Sequence, residues 1–499
     1  MKKLLIGCSL FLTITGCKAP PGLTISEAAQ LRAVLPRFES AAQELVNRSG
    51  VPGVALAVVH GSRVELLKTY GVRRMGGDAV DLDTVFQLAS VSKGFSSAAI
   101  AALVGDELMS WDDPASKYLP DFRLYDPAAS GVTIRDLLSH RSGLPEYSGD
   151  ELAYFGYDRE EQLARIRYQK PVTPFRTAYA YQNLLFTAAG EASARLAGKE
   201  WPDLLKERLF DQLGMSRTGG RLSDFLKETN RCSPHILIEG IMVPQEPDND
   251  EIHAPAGGIH SSIRDLSRWL SLQVNGGTFG EKRVIDEKAL LETHAAQIPI
   301  RSNLSYAMGW EVETKEGHKI VHHGGDFARG NSTLLYLMPE EKIGLAVLTN
   351  SFPEGHALAS SLSQTLFDLV FKGKCEQDHW AENKAALDEA LKGSILDPYE
   401  HLPVRPASPR APQALSTYAG EYRNDYFGSV RVEAAGLGLC VFLGKDPTPM
   451  TLVPWDGDTF QQPDTDSGAL FEQENGVVKK LTIKFLDYSG RDGTFFRKP

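Results

Sequence analysis

The sequence predicts an α+β fold in which helices flank an antiparallel sheet with a helical subdomain, followed by a small all-β domain. Two observations support this prediction. Apolar strand pairs joined by short turns lie on both sides of a mainly helical region at residues 90–272, and hairpins imply antiparallel pairing within one sheet. After a proline-rich stretch, the chain changes to short alternating runs separated by Asp-Gly and Asn-Gly turns, a pattern typical of small all-β domains.

The composition is that of a soluble globular protein with more than one domain. The chain has 499 residues, of which 42% are hydrophobic and 23% are charged, and this length is ample for a large buried core. Its formal net charge is −11, and it contains no long run of lysine or arginine. Both features argue against nucleic acid as a partner.

The first residues resemble a bacterial lipoprotein signal peptide, which we assign to residues 1–16. Lys2 and Lys3 precede an apolar stretch too short to span a bilayer, and the segment Ile-Thr-Gly-Cys at residues 14–17 resembles a lipobox. The resemblance implies export, cleavage before Cys17, lipidation of Cys17 and anchoring at a membrane surface of the cell envelope, on the outer-membrane, periplasmic or extracellular side. A plain secretory signal with an incidental cysteine is the alternative.

The first domain is predicted from strand and helix patterns in chain order. A tether is expected at residues 17–34, and the domain at residues 35–374 begins with an amphipathic stretch that ends at Gly50. The segment GVALAVVHGSRVELLKTYGV predicts two strands joined by a turn at residues 60–62. Later strands are predicted in SYAMGWEVET, HKIVHHGG and STLLYLMPEEKIGLAVLTN, the last a hairpin around residues 339–342, and the helical pattern ALASSLSQTLFDLVF follows.

The carboxyl-terminal part divides into a linker and a small domain. Residues 375–413 are charged and then rich in proline, as linkers are. Residues 414–499 form short alternating runs, with turn signals at Asp456-Gly457, Asn475-Gly476 and Asp492-Gly493. This pattern predicts the all-β domain.

Ser90 and Lys93 form an S-x-x-K motif and are the first candidates for catalysis. A serine hydroxyl is a weak nucleophile at neutral pH and needs a neighbouring base. Residues at i and i+3 share one face of a helix, and a serine in the first helical turn also lies near backbone donors that favour an oxyanion. From the spacing alone, a helix-capping serine beside a solvated lysine is an equal alternative.

Two further motifs favour the catalytic interpretation. Tyr181-Gln182-Asn183 begins a helical run, and His323-Gly324-Gly325 ends a strand. In this order and with these long gaps, the motifs S-x-x-K, Y-x-N and H-x-G resemble the serine β-lactamase and penicillin-binding protein superfamily, on its class C branch. The resemblance covers roughly residues 35–372 and implies a β-lactamase-like sheet, while the last domain resembles a lipocalin-like β module that often follows such hydrolases. A G-x-S-x-G elbow and an H-E-x-x-H zinc motif do not occur in the sequence.

The resemblance implies a hydrolase that forms an acyl-enzyme on Ser90. Lys93 or Tyr181 would take the proton of Ser90, and the sequence leaves this choice open. Asn183 would bind the acyl part of the substrate and could also cap its helix.

The resemblance also implies an oxyanion hole at the His323 motif. It would use the backbone N–H of Ser90 and a second one beyond Gly325, near Asp326. The segment after Gly325 is one residue longer than the family pattern, so the register of the second donor stays open.

A histidine stands where β-lactamases of this type carry a lysine. His323 has an ordinary pKa near 6.5 and would be mostly neutral at pH 7, so it would attract a substrate carboxylate weakly. The sequence therefore predicts poor β-lactamase activity and favours uncharged esters or amides, or short peptides. His322 also fits H-x-G, but strand alternation favours His323 on the catalytic side.

Several alternatives remain open at this point. A D-alanyl-D-alanine carboxypeptidase, a D-amino-acid peptidase and a true β-lactamase would all use the same Ser90. A catalytically silent lipoprotein that binds penicillin or cell wall is the alternative outside the enzyme class. The all-β domain is expected to be dispensable for the chemistry.

No metal or organic cofactor is expected. The cysteines of the folded part, Cys232, Cys375 and Cys440, lack metal-ligand spacing and allow at most one disulfide. The expected partners are a small-molecule or short-peptide substrate and, through the lipid, a membrane.

Overall fold

An antiparallel sheet forms the centre of the first domain in the computed structural model, which describes residues 27–392, 404–463, 465 and 467–498. Within these residues, the strands of the first domain are β1 (Gly53–His60), β2 (Arg63–Gly71), β3 (Val85–Gln87), β4 (His235–Ile238), β5 (Ile241–Pro244), β6 (His260–Ser262), β7 (Thr278–Phe279), β8 (Lys282–Arg283), β9 (Ile298–Arg301), β10 (Leu304–Tyr306), β11 (Glu311–Lys315), β12 (His318–Phe327), β13 (Asn331–Met338) and β14 (Ile343–Thr349). Eight of these described strands pair in the order β2-β1-β14-β13-β12-β11-β10-β9, and the others form the short ladders β3-β6, β4-β5 and β7-β8.

Helices cover both faces of the sheet and outnumber strands in the region between β3 and β9. The α-helices are α1 (Glu27–Ser49), α2 (Ser92–Gly105), α3 (Ile134–Leu138), α4 (Arg159–Arg165), α5 (Asn183–Ala197), α6 (Trp201–Leu205), α7 (Asp211–Leu213), α8 (Leu222–Lys227), α9 (Ala254–Gly257), α10 (Ile263–Val274), α11 (Glu287–Glu292), α12 (Glu354–Phe371) and α13 (His379–Leu391). A π turn, Lys206–Phe210, joins α6 to α7. This arrangement matches the predicted sheet with a helical subdomain.

Strand β1 is apolar at successive positions because both faces of the sheet are buried. Val54, Leu56 and Val58 belong to the core beneath α1 and α12. Ala55 and Ala57 belong to the core that includes α2 and α10. Since alternate residues of a strand face opposite sides, a doubly covered strand needs apolar residues throughout.

Both predicted hairpins are present. Strands β1 and β2 pair around a turn at residues 61–62, and β13 and β14 pair around residues 339–342. Strand β12 pairs with β13 from Val321 to Phe327 without a register shift. The strand therefore continues past Gly325 to Phe327 without a bulge.

Helix α2 is the buried centre of the helical region. All its residues from Ser92 to Leu103 are buried. Gly94 lies so close to the Trp310 ring that a Cβ would come within 2.7 Å of a ring carbon, and the ring of Phe95 stacks on that of Trp269 with 3.9 Å between centroids. The small residues of this helix therefore allow close packing, which gives its amino-terminal end a rigid support.

Two helices extend into segments that we expected to be irregular. Helix α1 begins at Glu27, inside the expected tether, because Leu31 and Val34 are buried against the sheet. Helix α13 lies inside the expected linker. The sequence of α13 is rich in charged residues, a composition it shares with linkers, so its helix was not predicted. The predicted signal peptide and Cys17 lie outside the described residues.

A buried hydrogen bond attaches helix α13 to α12. His379 Nε2 lies 2.9 Å from Asp368 Oδ2, and both side chains are almost fully buried. Asp368, His379 and Cys375 also form a group whose possible metal-binding atoms lie within 4.8 Å of one another. The Asp368 carboxylate is already paired with His379 and with Lys372, whose Nζ lies 3.1 Å from Oδ1. The group therefore acts as a contact between the two helices.

The second domain is a closed antiparallel barrel. Its eight strands within the described residues are β15 (Gly420–Asn424), β16 (Gly428–Ala435), β17 (Gly438–Leu443), β18 (Met450–Asp456), β19 (Thr459–Gln461), β20 (Gly468–Glu474), β21 (Val477–Ile483) and β22 (Thr494–Arg497). Each strand pairs with the next in the chain, and β22 pairs with β15 to close the barrel. Alternate residues such as Val430, Val432, Leu439 and Val441 fill the interior, as the alternating pattern predicts.

The barrel packs on residues 145–172 of the first domain. The Phe155 ring lies 5.5 Å from that of Phe427 and 6.3 Å from that of Phe495, between centroids. Tyr157 OH donates a hydrogen bond to the carbonyl of Phe427 at 3.0 Å, and the backbone N–H of Lys445 donates to the carbonyl of Phe155 at 2.8 Å. Buried apolar side chains of both domains form one continuous core.

The three cysteines of the described residues are free thiols. Cys232 is buried, and Cys375 and Cys440 are half-buried. In the described part of the chain, no helix combines the length and the apolar character needed to cross a membrane.

Candidate active site

Ser90 lies in a tight turn between β3 and α2. Residues Ala89–Val91 form a single 3₁₀ turn, and Ala89 has a φ of 47°, in the left-handed region that non-glycine residues rarely adopt. Thr333 Oγ1 donates to the carbonyl of Leu88 at 2.7 Å, and the Asn331 side chain donates to that of Gln87. Strand β13 thus holds the turn in this conformation, and such local strain is typical of functional sites.

Lys93 lies in the first turn of α2 and is completely buried. Its Nζ lies 3.1 Å from Ser90 Oγ, 2.7 Å from Asn183 Oδ1 and 3.0 Å from the carbonyl of Ala256. The amide and carbonyl oxygens can only accept hydrogen bonds. A neutral amine has two N–H groups, so these two acceptors occupy both and leave its lone pair directed at Ser90 Oγ.

The protonation of Lys93 is set by opposing effects. Burial lowers its pKa from the ordinary value near 10.5 to about 7, and the carboxylates of Asp250 and Asp150 oppose this shift. A substantial fraction of Lys93 is therefore neutral at neutral pH.

Tyr181 and Asn183 face the same side because the segment before α5 is extended. Gln182 has β-strand dihedral angles, so its neighbours point together while its own side chain points away. That side chain accepts a hydrogen bond from Ser142 Oγ at 2.8 Å and donates to the carbonyl of Pro145 at 3.1 Å. These contacts fix the register of the whole motif.

Tyr181 contacts the other side of Ser90. Its OH donates to Ser90 Oγ at 2.8 Å, and its ring lies 4.6 Å from Lys93 Nζ. Burial raises the pKa of Tyr181 well above its ordinary value of 10. The phenol is therefore protonated in the free enzyme and acts as a hydrogen-bond donor to the hydroxyl of Ser90.

The Asn183 amide is oriented by a carboxylate that the sequence did not indicate. Asn183 Nδ2 donates to Asp150 Oδ2 at 2.7 Å, while Oδ1 accepts from Lys93. A carboxylate that accepts from Nδ2 determines which end of the amide faces Lys93. Asn183 is the first residue of α5, and this side chain is directed at the site and does not cap the helix.

His323 lies on the Ser90 side of β12 with both ring nitrogens engaged. Its Nδ1 lies 2.5 Å from the carbonyl of Gly324, and its Nε2 lies 2.9 Å from Tyr306 OH. A carbonyl can only accept, so Nδ1 carries the proton and Nε2 accepts from Tyr306. Burial and the nearby Lys93 lower the pKa of His323 to about 3, and the ring is therefore neutral.

His322 lies on the opposite face of β12. Its ring stacks on Tyr336 with 5.9 Å between centroids, and its Nε2 lies 3.9 Å from both Glu311 and Glu313. Strand alternation accounts for this separation of the two histidines.

Gly325 and Asp326 continue β12 past Ser90. A Cβ on Gly325 would lie 2.9 Å from the backbone nitrogen of Ser90 and 2.3 Å from the carbonyl of Leu88. Asp326 pairs with Ser332 of β13, and its carboxylate lies 2.8 Å from His356 Nδ1. Thus the structure brings the strand backbone after His323 next to Ser90, where the second oxyanion donor was expected.

Three residues that join this network were not identified as site residues from the sequence. Tyr306 is hydrogen-bonded to His323, and Asp150 is hydrogen-bonded to Asn183. The ring centroid of His140 lies 4.5 Å from that of Tyr181 and 4.5 Å from that of Tyr306. His140 also accepts the backbone N–H of Gln182 at 3.2 Å. Tyr306 lies in one of the predicted strands, but no sequence pattern indicated the contacts of these three residues.

The arrangement can activate a serine without a metal. Tyr181 O–H donates to Ser90 Oγ, and the Ser90 O–H can donate to the lone pair of Lys93. A nucleophile within hydrogen-bond reach of a base that other groups orient is the general arrangement for covalent catalysis.

Comparisons with known proteins agree with this geometry. A family model described as Beta-lactamase matches residues 38–363, and one described as a domain of unknown function (DUF3471) matches residues 404–497. Unguisins hydrolase ungD' of Aspergillus campestris is 27% identical over 412 residues, which are 77% of this chain and 75% of that protein. D-alanyl-D-alanine-carboxypeptidase/endopeptidase AmpH of Escherichia coli is 25% identical over 321 residues, 61% of this chain and 81% of that protein.

A solved structure shares the fold of the whole molecule. The octameric penicillin-binding protein homologue from Pyrococcus abyssi superposes with a TM-score of 0.61 at 21% identity, covering 90% of this chain and 98% of that chain. The predicted β-lactamase-like fold with a carboxyl-terminal lipocalin-like barrel is therefore confirmed. The match of the Beta-lactamase model over most of the sequence, together with the similarity to unguisins hydrolase ungD' and to AmpH, shows that the chain belongs to the β-lactamase family and is a serine hydrolase.

Proposed function

We propose that the chain hydrolyses an uncharged ester or amide, or a short peptide, through an acyl-enzyme on Ser90. The observation that supports this proposal is the position of Ser90 Oγ, 3.1 Å from Lys93 Nζ and 2.8 Å from Tyr181 OH. Because the pKa of Lys93 is lowered to about 7, a neutral base faces the hydroxyl at physiological pH.

Acylation begins when Ser90 Oγ attacks the substrate carbonyl and its proton passes to Lys93. The new C–O bond converts the carbonyl to an oxyanion, which the N–H of Ser90 and an N–H beyond Gly325 would bind. The C–O or C–N bond to the leaving group then breaks, and the leaving group takes a proton from Lys93, directly or through Tyr181. Water attacks the acyl-enzyme in a second cycle of the same transfers and releases the acid.

The direction of the two pKa shifts favours Lys93 as the base in the free enzyme. The pKa of Lys93 is lowered, so its neutral form is available, whereas that of Tyr181 is raised, so its anion is scarce. In this proposal Tyr181 supports the oxygen of Ser90 as a hydrogen-bond donor and can relay the proton from Lys93 to the leaving group.

The neutral, fully hydrogen-bonded ring of His323 supports the proposal of an uncharged substrate. A neutral ring with both nitrogens already hydrogen-bonded offers neither a cation nor a free donor to a carboxylate. Penicillins and cephalosporins carry such a carboxylate, and their binding is expected to be weak. The sequence similarity to AmpH favours a D-alanyl-D-alanine peptidase as the second candidate.

Turnover of three substrates would separate these candidates. We expect a short-chain ester to be hydrolysed faster than a chromogenic cephalosporin. A D-alanyl-D-alanine peptide hydrolysed faster than the ester would favour the peptidase. Because this peptide ends in a carboxylate and the cephalosporin also carries one, fast turnover of either would contradict the proposed effect of His323.

Intact-protein mass spectrometry tests the acyl-enzyme. A fluorophosphonate should add one adduct to the folded protein, and the adduct should be absent from Ser90→Ala. A folded wild-type protein that gives no adduct with this reagent or with penicillin would favour the catalytically silent binding protein.

We also propose that Cys17 is lipidated and anchors the enzyme to a membrane of the cell envelope. The lipobox-like residues 14–17 support this proposal. Metabolic labelling with a palmitate analogue should mark the wild-type protein and not Cys17→Ala, and an unlabelled wild-type protein would favour the plain secretory signal.

A further inference from the structure

We propose that the barrel takes part in catalysis by holding Asp150, which positions the amide of Asn183 and, through it, the amine of Lys93. Asp150 is a positioning residue in this proposal, and Glu151 beside it is the point at which the barrel acts. The proposal rests on the proposed function of Ser90 and Lys93, and in it Asp150 and Glu151 act through Asn183 and Lys93.

The barrel holds Glu151 at a buried interface. Tyr426 OH donates to Glu151 Oε1 at 2.8 Å, and Arg491 Nη1 donates to Oε2 at 3.1 Å. All three side chains are at most 5% exposed. The Arg491 guanidinium also stacks 3.9 Å from the centre of the Tyr488 ring, which belongs to the same barrel loop. Charge-assisted hydrogen bonds between buried groups are strong and directional.

The next residue back along the chain, Asp150, faces the active site. Both residues lie in one 3₁₀ segment, Asp150–Phe155, so fixing Glu151 also fixes the backbone of Asp150. Further along the segment, Phe155 is packed between barrel rings. The barrel thus determines the position of the carboxylate that accepts from Asn183 Nδ2 at 2.7 Å.

The orientation of Asn183 matters because its two ends have opposite hydrogen-bonding properties. With Nδ2 on Asp150, Oδ1 accepts from Lys93, and the lone pair of the neutral amine remains directed at Ser90. A reversed amide would present N–H groups to Lys93, and the lone pair would accept from Asn183 in place of Ser90. Asp150 therefore selects the amide orientation in which Lys93 can act as a base.

This proposal replaces the expectation that the barrel is dispensable for the chemistry. That expectation arose because the catalytic motifs all lie in the first domain, whereas the barrel sequence shows only a strand pattern. Glu151 and Arg491 are 340 residues apart in the chain, so their pairing has no local signal.

The first test compares two Tyr→Phe changes at the same interface. Tyr426→Phe removes the hydrogen bond to Glu151, and Tyr157→Phe removes the hydrogen bond to the carbonyl of Phe427, which does not involve Glu151. In the full chain, we expect Tyr426→Phe to slow fluorophosphonate labelling of Ser90 by about fivefold, the factor that corresponds to one lost hydrogen bond. Tyr157→Phe should label at the wild-type rate, and equal rates in the two variants would overturn the role of the barrel.

The second test examines Asp150 itself. Asp150→Ala removes the acceptor and should slow labelling by tenfold or more, whereas Asp150→Asn can still accept from Asn183 and should recover most of that loss. Because the Asp150 charge raises the pKa of Lys93, Asp150→Asn should also move the pH midpoint of the reaction to a lower value. If Asp150→Asn is labelled as slowly as Asp150→Ala, the proposed role of Asp150 is overturned.

Failure of the proposed function gives a different result. If wild-type protein is not labelled at Ser90, the proposed function and this inference both fall. If wild-type protein is labelled and the variants label at the same rate as wild type, the inference alone is wrong.

Discussion

Lys93 combines full burial with three polar contacts, and its pH behaviour follows from that combination. The free amine is the active form in the proposed mechanism, and its pKa is about 7. We expect kcat/KM for an ester to rise as pH rises through about 7, because deprotonation of Lys93 creates the base. His323, with a pKa of about 3, should add no inflection between pH 5 and 9. A constant kcat/KM across that range, measured with an uncharged ester, would contradict the role of Lys93.

Tyr181 can be tested with a neighbour as control. Tyr181→Phe removes the donor to Ser90 Oγ and should lower the acylation rate by about 10² to 10³, within the range typical of acid–base groups. Tyr179 packs near Tyr306, 5.5 Å between ring centroids, and has no hydrogen bond to Ser90, so Tyr179→Phe should react within about twofold of wild type. Single-turnover labelling gives both rates, and similar rates would show that the Tyr181 hydroxyl is not needed.

At the level of elements, the close contact between β12 and the Ser90 turn is the feature most open to a steric test. A Cβ at position 325 would come within 2.3 Å of the carbonyl of Leu88, which is backbone and cannot move aside independently. Gly325→Ala should therefore separate strand from turn, lower the melting temperature and slow labelling of Ser90 by at least tenfold.

The adjacent glycine provides the matched control. A Cβ at position 324 would meet its nearest neighbour, the carbonyl of Thr333, only at 3.9 Å. Gly324→Ala should leave the melting temperature and labelling close to those of wild type. If both variants behave alike, the contact at Gly325 does not define the site.

At the scale of the whole molecule, the two domains share one apolar core. Because the side chains around Phe155 pack with the barrel interior, separating the domains would expose apolar surface at no compensating gain. We expect a single calorimetric unfolding transition for residues 27–499, with the calorimetric and van't Hoff enthalpies in agreement. Two transitions, one of which survives removal of the barrel, would show that the domains fold independently.

Local patterns were sufficient to predict most of the architecture and part of the site. The hairpins follow from alternation and turn residues, and the ordered motifs identified Ser90, Lys93, Tyr181 and Asn183, which the structure brings into direct contact. Asp150 could not be identified, because its effect depends on a contact with Asn183 that bridges 33 residues and an acidic residue in a loop is ordinary. The docking of the barrel likewise depends on complementary surfaces, and neither surface has a periodic signature.

The free thiols at Cys232, Cys375 and Cys440 determine under which redox conditions the enzyme can be produced. Since no covalent cross-link joins the described residues, their fold owes nothing to an oxidising compartment or to disulfide catalysts. We expect residues 27–499 to fold in a reducing host cytoplasm, and dithiothreitol should change neither their melting temperature nor their esterase rate. Because Cys232 is buried, maleimide should label only Cys375 and Cys440 of these three in the native protein. After unfolding, maleimide should label Cys232 as well.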